Sequence, residues 1–320
     1  MRAIVVERAG GPEVLELREA EAPRPGPGEL LVETAATGVN FIEIYRRSGV
    51  YPVDFPDIPG SEASGTVVAV GDGVAGFAAG DRVATSAGTG TYAEHFAVAA
   101  EQAALVPDGI DLRTAAALPL QGATAHYLAA SASRPEAGDT VLVHAGAGGV
   151  GLLLTQLLTA RGVRVISTAS SDAKRELSLA AGAEHAIGYE GFADRARELT
   201  GGEGVAVVYD GVGESTFDGS LSALRVRGGL VLFGGASGQV PPFDLQRLNA
   251  GGSLSVTRPS LGDFMRTVEE RAWRYRELFA AVLDGTLELR IGARFPLAEA
   301  AEAHRALASR GTTGKLLLEP

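Results

Sequence analysis

Four glycines, Gly146, Gly148, Gly149 and Gly151, stand in DTVLVHAGAGGVGLLLTQLLTARG between an apolar strand pattern and a helix pattern that ends near Gly162. Glycine there lets the chain turn tightly and lets a diphosphate approach the backbone, where free N–H groups at a helix start meet its charge. Gly146-x-Gly148-x-x-Gly151 satisfies the dinucleotide-binding spacing, with Gly149 and Val150 inside it. The next strand pattern, VRVISTAS, ends about twenty residues on, where NAD-selective sites present an acid to the ribose. Ala169, Ser170 and Ser171 stand there instead, and Asp172 is expected to cap the helix AKRELSLAAG closed by Gly182. Lys174 and Arg175 fall in that helix's first turn, where a cation is unfavourable unless an anion compensates it. A 2′-phosphate would compensate it, which favours NADPH over NADH, with Ser170 and Lys174 as contacts.

The elements that must position these residues change character along the chain. Up to about residue 110, short extended patterns (AIVVE, LELRE, ELLVETAATGV, SGTVVAV, DRVAT, YAEHFAV) alternate with turns such as AGGP, APRPGPG and GDG. From Pro119 onward, buried-type strands (TVLVHAGAG, VRVIST, HAIGY, VAVVYD, GGLVLFGG, SLSVT) alternate with helical stretches, which predicts a parallel sheet covered on both faces. After Pro259 come a helix over Asp263 to Asp284, the strand pattern LELRIGARFPL, a second helix over Leu297 to Ser309 and the strand KLLLEP, placed back against the β-rich part. The expectation is an α/β protein with a β-rich domain of residues 1–119 and 262–320 and a doubly wound dinucleotide-binding domain of residues 120–261.

With 320 residues, 46% hydrophobic and 21% charged, the composition is that of a globular protein with a sizeable core. The balance of 28 basic against 39 acidic residues, −11, argues against nucleic acid, whose backbone is held by basic faces. Without cysteine there are no disulfides, thiolate nucleophiles or Cys-held metals. His95, His126, His144, His185 and His304 show no close spacing that would make a metal site, and His144 is expected to pack beside the glycine turn. Glu7 and Arg8 interrupt any signal peptide, so the cytoplasm is expected. The uncharged stretches from Thr114 to Ser133 and Thr140 to Ala160 contain Gln121, His126, His144 and Gln156, so they are assigned to buried turns and helices and not to a membrane.

The motifs GVNFIEIYRRSGVYP (38–52), HAGAGGVG (144–151), VVYDGVG (207–213) and VTRPSL (256–261), in this order over essentially the whole chain, resemble the zinc-independent NADPH:quinone oxidoreductases of the medium-chain dehydrogenase/reductase superfamily. The resemblance implies a GroES-like catalytic domain joined to a Rossmann-type domain. Zinc members carry a Cys near the Asn40 position and a Gly-His-Glu motif, whereas this chain reads Asn40 and then Gly60-Ser61-Glu62, with no counterpart of the four-cysteine lobe. Without a Lewis acid, simple alcohol oxidation is disfavoured, and an acceptor that takes hydride readily, a quinone or a conjugated enone, fits better.

The resemblance also implies site residues. Asn40, Tyr45 and Tyr51 would line the acceptor cleft, an amide to orient a carbonyl and phenols to stack or donate. Thr124 would lie near the nicotinamide and Tyr189 near the 2′-phosphate or adenosine. Val212, Phe233, Gly234 and Ser237 would lie in strand-end loops, and Arg310 would be a distal cofactor contact. Arg258 is open between the cofactor and a subunit contact. Nothing in the sequence brings Glu43 and Glu62 together, and both are left out of catalysis. The apolar SLSVT edge suggests a homodimer. An enoyl or alkenal reductase using Tyr51 as acid is the alternative function, and a non-catalytic NADPH- or RNA-binding protein a remoter one.

Overall fold

Along ELLVETAATGV the buried residues first alternate, Leu30, Val32, Thr34 and Ala36, and then run unbroken from Ala36 through Asn40. Alternation marks a strand with one face on a core, and the unbroken run marks a place where both faces are covered. The computed structural model describes all residues, Met1–Pro320, in two compact units.

In chain order, the first unit begins with β1 (Arg2–Val5), β2 (Glu16–Glu19), β3 (Glu29–Val39), α1 (Phe41–Arg47), β4 (Ala63–Val70), β5 (Arg82–Thr85), β6 (His95–Ala99), β7 (Ala103–Leu105) and α2 (Leu112–Ala116). The chain then passes along α3 (Pro119–Tyr127) into the second unit. That unit contains β8 (Thr140–Val143), α4 (Gly149–Thr159), β9 (Arg164–Thr168), α5 (Asp172–Ala180), β10 (His185–Ile187), α6 (Phe192–Leu199), β11 (Val205–Asp210), α7 (Phe217–Ala223), β12 (Leu224–Leu232), α8 (Gln246–Ala250) and β13 (Ser255–Thr257). The tail returns to the first unit as α9 (Val268–Leu283), β14 (Ile291–Pro296), α10 (Ala300–Ala308) and β15 (Lys315–Glu319).

The first unit is residues 1–121, 267–285 and 289–320. Its seven-stranded sheet runs β14-β15-β3-β4-β5-β7, with β6 on β3, and β1 and β2 form a separate antiparallel pair. One core gathers Ile4, Val6, Val39, Tyr92, Leu316 and Leu318, and a second gathers Leu30, Val32, Val67, Val83 and Phe96. Each such side chain contributes about 1.5–3 kcal/mol by leaving water. The second unit, residues 122–266 with 286–288, is a six-stranded parallel sheet ordered β10-β9-β8-β11-β12-β13. All six residues of VAVVYD are buried, as an apolar run in a covered parallel sheet should be.

Three local expectations need correction. Ser171, not Asp172, caps α5, its hydroxyl accepting the Lys174 N–H, while Asp172 pairs with Arg175. The helix expected over Asp263 to Asp284 is a 3₁₀ turn at Leu261–Phe264 followed by α9, because the Thr267 hydroxyl accepts the Glu270 N–H and starts the helix anew. The helix expected over Leu297 to Ser309 likewise opens as a 3₁₀ turn, Leu297–Glu299, before α10. No helix is long and apolar enough to cross a membrane.

Candidate active site

In the second unit the strand order reverses between β8 and β11, and ligands of open parallel sheets bind at the carboxyl ends beside such a reversal. The glycine turn follows β8, Ser170 follows β9, Val212 follows β11, and Phe233, Gly234 and Ser237 follow β12, so the parallel register carries these residues to one end of four adjacent strands. Gly148 caps α4, whose first turn carries Gly149, Val150 and Gly151. A Cβ on Gly146 would lie 2.6 Å from Ser167 Cβ and 2.6 Å from Ser178 Oγ, and one on Gly151 would lie 2.9 Å from Gly146 Cα. Only glycine lets β9, α5 and α4 close on this turn, so the residues fit a diphosphate cradle. The Tyr189 hydroxyl accepts the Ala145 N–H at 3.2 Å, and its ring stacks on His144, centroids 6.0 Å apart. Ser170 is exposed just before α5, and Lys174 is half-buried in its first turn. Thr124 is buried on α3, while Arg310 lies in the first unit just after α10 with a left-handed φ of 58°.

Beneath the turn lies a buried hydrogen-bonded chain. The Asp210 carboxylate accepts the Val212 and Gly213 N–H groups at 2.8 and 2.9 Å, the Thr216 hydroxyl, and the Ser220 hydroxyl at 2.9 Å. Ser220 Oγ, its proton directed at Asp210, accepts from His144 Nε2 at 3.0 Å, so His144 Nδ1 accepts from the Thr168 hydroxyl at 2.8 Å. Burial pushes His144 down to about 4 against the pull of Asp210, which keeps the ring neutral in that tautomer. The chain ties together the carboxyl ends of β8, β9 and β11. Ser237 is held similarly, its hydroxyl donating to Val212 O at 2.8 Å and accepting the Ser215 N–H at 3.0 Å.

In the first unit the register assembles a second cluster. Val39 pairs with Leu316 and Thr37 with Ala63, so the residues just beyond these pairs, Asn40, Lys315 and Glu62, meet at one end of β3. Lys315 Nζ donates to Asn40 Oδ1 at 2.6 Å and to Glu62 Oε2. Asn40 Nδ2 donates to Glu62 Oε2 at 2.9 Å, and Glu62 Oε1 accepts the Leu120 N–H at 2.7 Å. A Cβ on Gly38 would lie 2.7 Å from Lys315 Nζ, so glycine is required for the ammonium to enter. Glu43 Oε2 accepts the Asn40 N–H at 2.9 Å, half of a capping box on α1, and Glu43 Oε1 accepts from Ser61 Oγ at 3.1 Å.

This cluster brings together Glu43 and Glu62, which nothing in the sequence joined: they share Asn40 and lie within one buried network. Glu43 caps the start of α1, and its burial pushes the carboxyl up to about 7. Lys315 was missed altogether, although its GK pair at the start of a buried strand is an unusual place for a charge. The Asn40 amide, expected to address a carbonyl directly, is engaged by Lys315 and Glu62. Tyr45 and Tyr51 do meet, edge to face with centroids 5.5 Å apart, on and just after the helix that Asn40 begins. Of Asn40, Ser61 and Glu62, which stand where zinc dehydrogenases are expected to carry ligand motifs, Asn40 and Glu62 hold an ammonium and Ser61 bonds Glu43, and none offers a thiolate or imidazole. No group of three or more His, Cys, Asp and Glu side chains is arranged to hold a metal ion.

Two family models match, an alcohol dehydrogenase GroES-like domain over residues 26–108 and a zinc-binding dehydrogenase domain over residues 149–275. A quinone oxidoreductase of Pseudomonas aeruginosa is 46% identical over 317 residues, covering 97% of each chain. A 2-haloacrylate reductase of Burkholderia is 38% identical over 99% of this chain and 98% of its own. A mycobacterial protein solved in complex with NADPH is 52% identical, with a TM-score of 0.98 over 100% of both chains. A chain that shares both domains, their order and this identity over its full length belongs to the medium-chain dehydrogenase/reductase superfamily and, within it, to the quinone oxidoreductases.

Proposed function

We propose that this protein is an NADPH-dependent quinone oxidoreductase that works without a metal ion. The observation that carries the reading is the cradle of Gly146, Gly148 and Gly151 at the reversal of the parallel sheet, with Ser170 after the neighbouring strand and Lys174 in the first turn of α5 where an acid would select NAD. When bound, NADPH supplies the hydride. The glycine turn holds the diphosphate through the free N–H groups of α4, Ser170 and Lys174 take the 2′-phosphate, and Tyr189 flanks it. Thr124, Val212, Phe233, Gly234 and Ser237 shape the nicotinamide side, and Arg310 is a distal contact. Tyr45 and Tyr51 stack on the acceptor, and Asn40 positions the helix that carries Tyr45. Orientation in a dry site is the main source of rate, since a quinone needs no Lewis acid to accept hydride.

A second reading, reduction of an activated C=C bond, is favoured by the 2-haloacrylate reductase among the relatives. It differs in needing an acid for carbon, for which Tyr51 is the candidate. We further propose a cytoplasmic homodimer that pairs through β13, the edge strand of the six-stranded sheet.

The test is a panel of ortho-quinones, para-quinones and 2-enones with NADPH and NADH, each repeated with a chelator. Quinone turnover with NADPH that survives chelation is expected. Turnover lost on chelation, or confined to NADH, would overturn the reading. In Tyr51→Phe, enone reduction should fall while quinone turnover persists, and sedimentation should give a mass of twice 32.8 kDa.

A further inference from the structure

We infer that Glu43 stores a proton for the acceptor and that the Ser61 hydroxyl is its outlet. The inference rests on the quinone reductase reading and adds the source of the proton that hydride transfer leaves wanting.

The argument begins with charge. Glu43, Glu62 and Lys315 are each at most 2% exposed, so one ammonium is buried among two carboxyl groups. Lys315 is bonded to Glu62 and to the Asn40 amide, and Glu43 has no ammonium contact of its own. An uncompensated buried anion is among the costliest arrangements in a protein, and the cluster avoids it by keeping a proton on Glu43. The surroundings agree: burial raises the Glu43 carboxyl most, Glu62 raises it further, and Lys315 and the Ser61 hydrogen bond lower it, leaving it near 7. The Tyr92 phenol is pushed well up by its own burial first and by Glu43 and Glu62 after it, and supplies no positive charge.

Geometry then gives direction. Glu43 Oε2 accepts the Asn40 N–H, so a proton on Glu43 belongs on Oε1, 3.1 Å from Ser61 Oγ; Ser61 donates across this distance to the carboxylate, and the protonated carboxyl donates across it to Ser61. Glu43 is sealed from solvent, whereas Ser61 is half-buried. As the acceptor gains hydride, its carbonyl oxygen becomes basic and takes the Ser61 hydroxyl proton. The Glu43 O–H bond breaks as a new O–H bond forms on Ser61 Oγ. Glu43 is left as a carboxylate and regains a proton from solvent through the Ser61 hydroxyl once the product has left, so that one hydride and one proton reach the acceptor in each turnover.

Glu43→Gln tests this cleanly, because a carboxamide accepts the Asn40 N–H and donates to Ser61 but carries no transferable acid. In the protein without nucleotide, infrared titration should show a protonated carboxyl that ionises near pH 7, present in the wild type and missing in Glu43→Gln. With NADPH and a quinone, Glu43→Gln should lose about tenfold or more in kcat, the lower end of a general-acid contribution, with the KM for NADPH unchanged and the fall of kcat above pH 7 abolished. Ser61→Ala should keep the infrared band and lose kcat equally, and Ser61→Thr should restore it. A wild type without the band, or a Glu43→Gln protein with native kcat and pH profile, overturns the inference. A wild type that has the band but reduces no quinone overturns the quinone reading, and the outlet with it, while the stored proton stands.

Discussion

The protein contains two buried polar clusters that look alike in composition and differ in what they hold still. In the second unit, Asp210, Thr216, Ser220, His144 and Thr168 form a chain in which every side-chain donor finds an acceptor and the ring is neutral. Two of its members are backbone N–H groups of the loop after β11, so the cluster fixes main chain. In the first unit, Lys315, Glu62, Asn40 and Glu43 contain an ion pair and a carboxyl raised toward neutrality, so that cluster fixes charge and a proton. The contrast teaches that buried polar groups can be used in two ways, for fixing main chain through neutral hydrogen bonds or for holding a charge and a proton away from water.

The comparison can be broken most forcefully at Lys315. Lys315→Met should destabilise the protein by about 3–5 kcal/mol in urea unfolding, because it strands the Glu62 carboxylate in the interior, and the double variant with Glu62→Gln should recover much of the loss. A loss below 1 kcal/mol would mean that the pair is not buried in solution. Asp210→Ala takes the carboxylate acceptor from the Val212 and Gly213 N–H groups and from the Ser220 and Thr216 hydroxyls, of which Thr216 keeps Gly213 O, and about 3 kcal/mol is expected, with weakened NADPH binding measured by calorimetry.

The clusters should also respond oppositely to pH. Glu43 binds its proton more tightly folded than unfolded, so its contribution to stability is full below about 4.5 and is lost as pH rises through about 7. His144 binds its proton less tightly when folded, so its contribution is full above 6.5 and is lost as pH falls through about 4; His304, pushed down to about 3 by burial and Arg47, adds to the acid loss. The stability of the wild type relative to Glu43→Gln should therefore fall by up to about 3 kcal/mol between pH 4.5 and 7, at 1.36 kcal/mol per pKa unit, and a flat difference would refute the assignment. The smallest effect is Lys174→Ala, which should weaken NADPH roughly tenfold to hundredfold through loss of a charge-assisted bond of about 1.5–3 kcal/mol, with NADH affinity unchanged.

Much of this was legible in the sequence because it depends on neighbours in the chain. The glycine turn, the unbroken apolar run of VAVVYD and the alternation in ELLVETAATGV are local patterns, and local geometry imposes them. The first cluster was not legible, since Asn40, Glu62 and Lys315 are joined by strand register across as many as 275 residues. Arg47 and Tyr92, which fix the ring of His304 from either side at 3.0 and 3.1 Å, were hidden for the same reason. Chain-local physics determined a nucleotide turn, a parallel sheet and the absence of thiolate chemistry. Only the tertiary structure decided that an ammonium faces one carboxyl and leaves its neighbour holding a proton, because the pairing of buried charges depends on distances that no stretch of chain contains by itself.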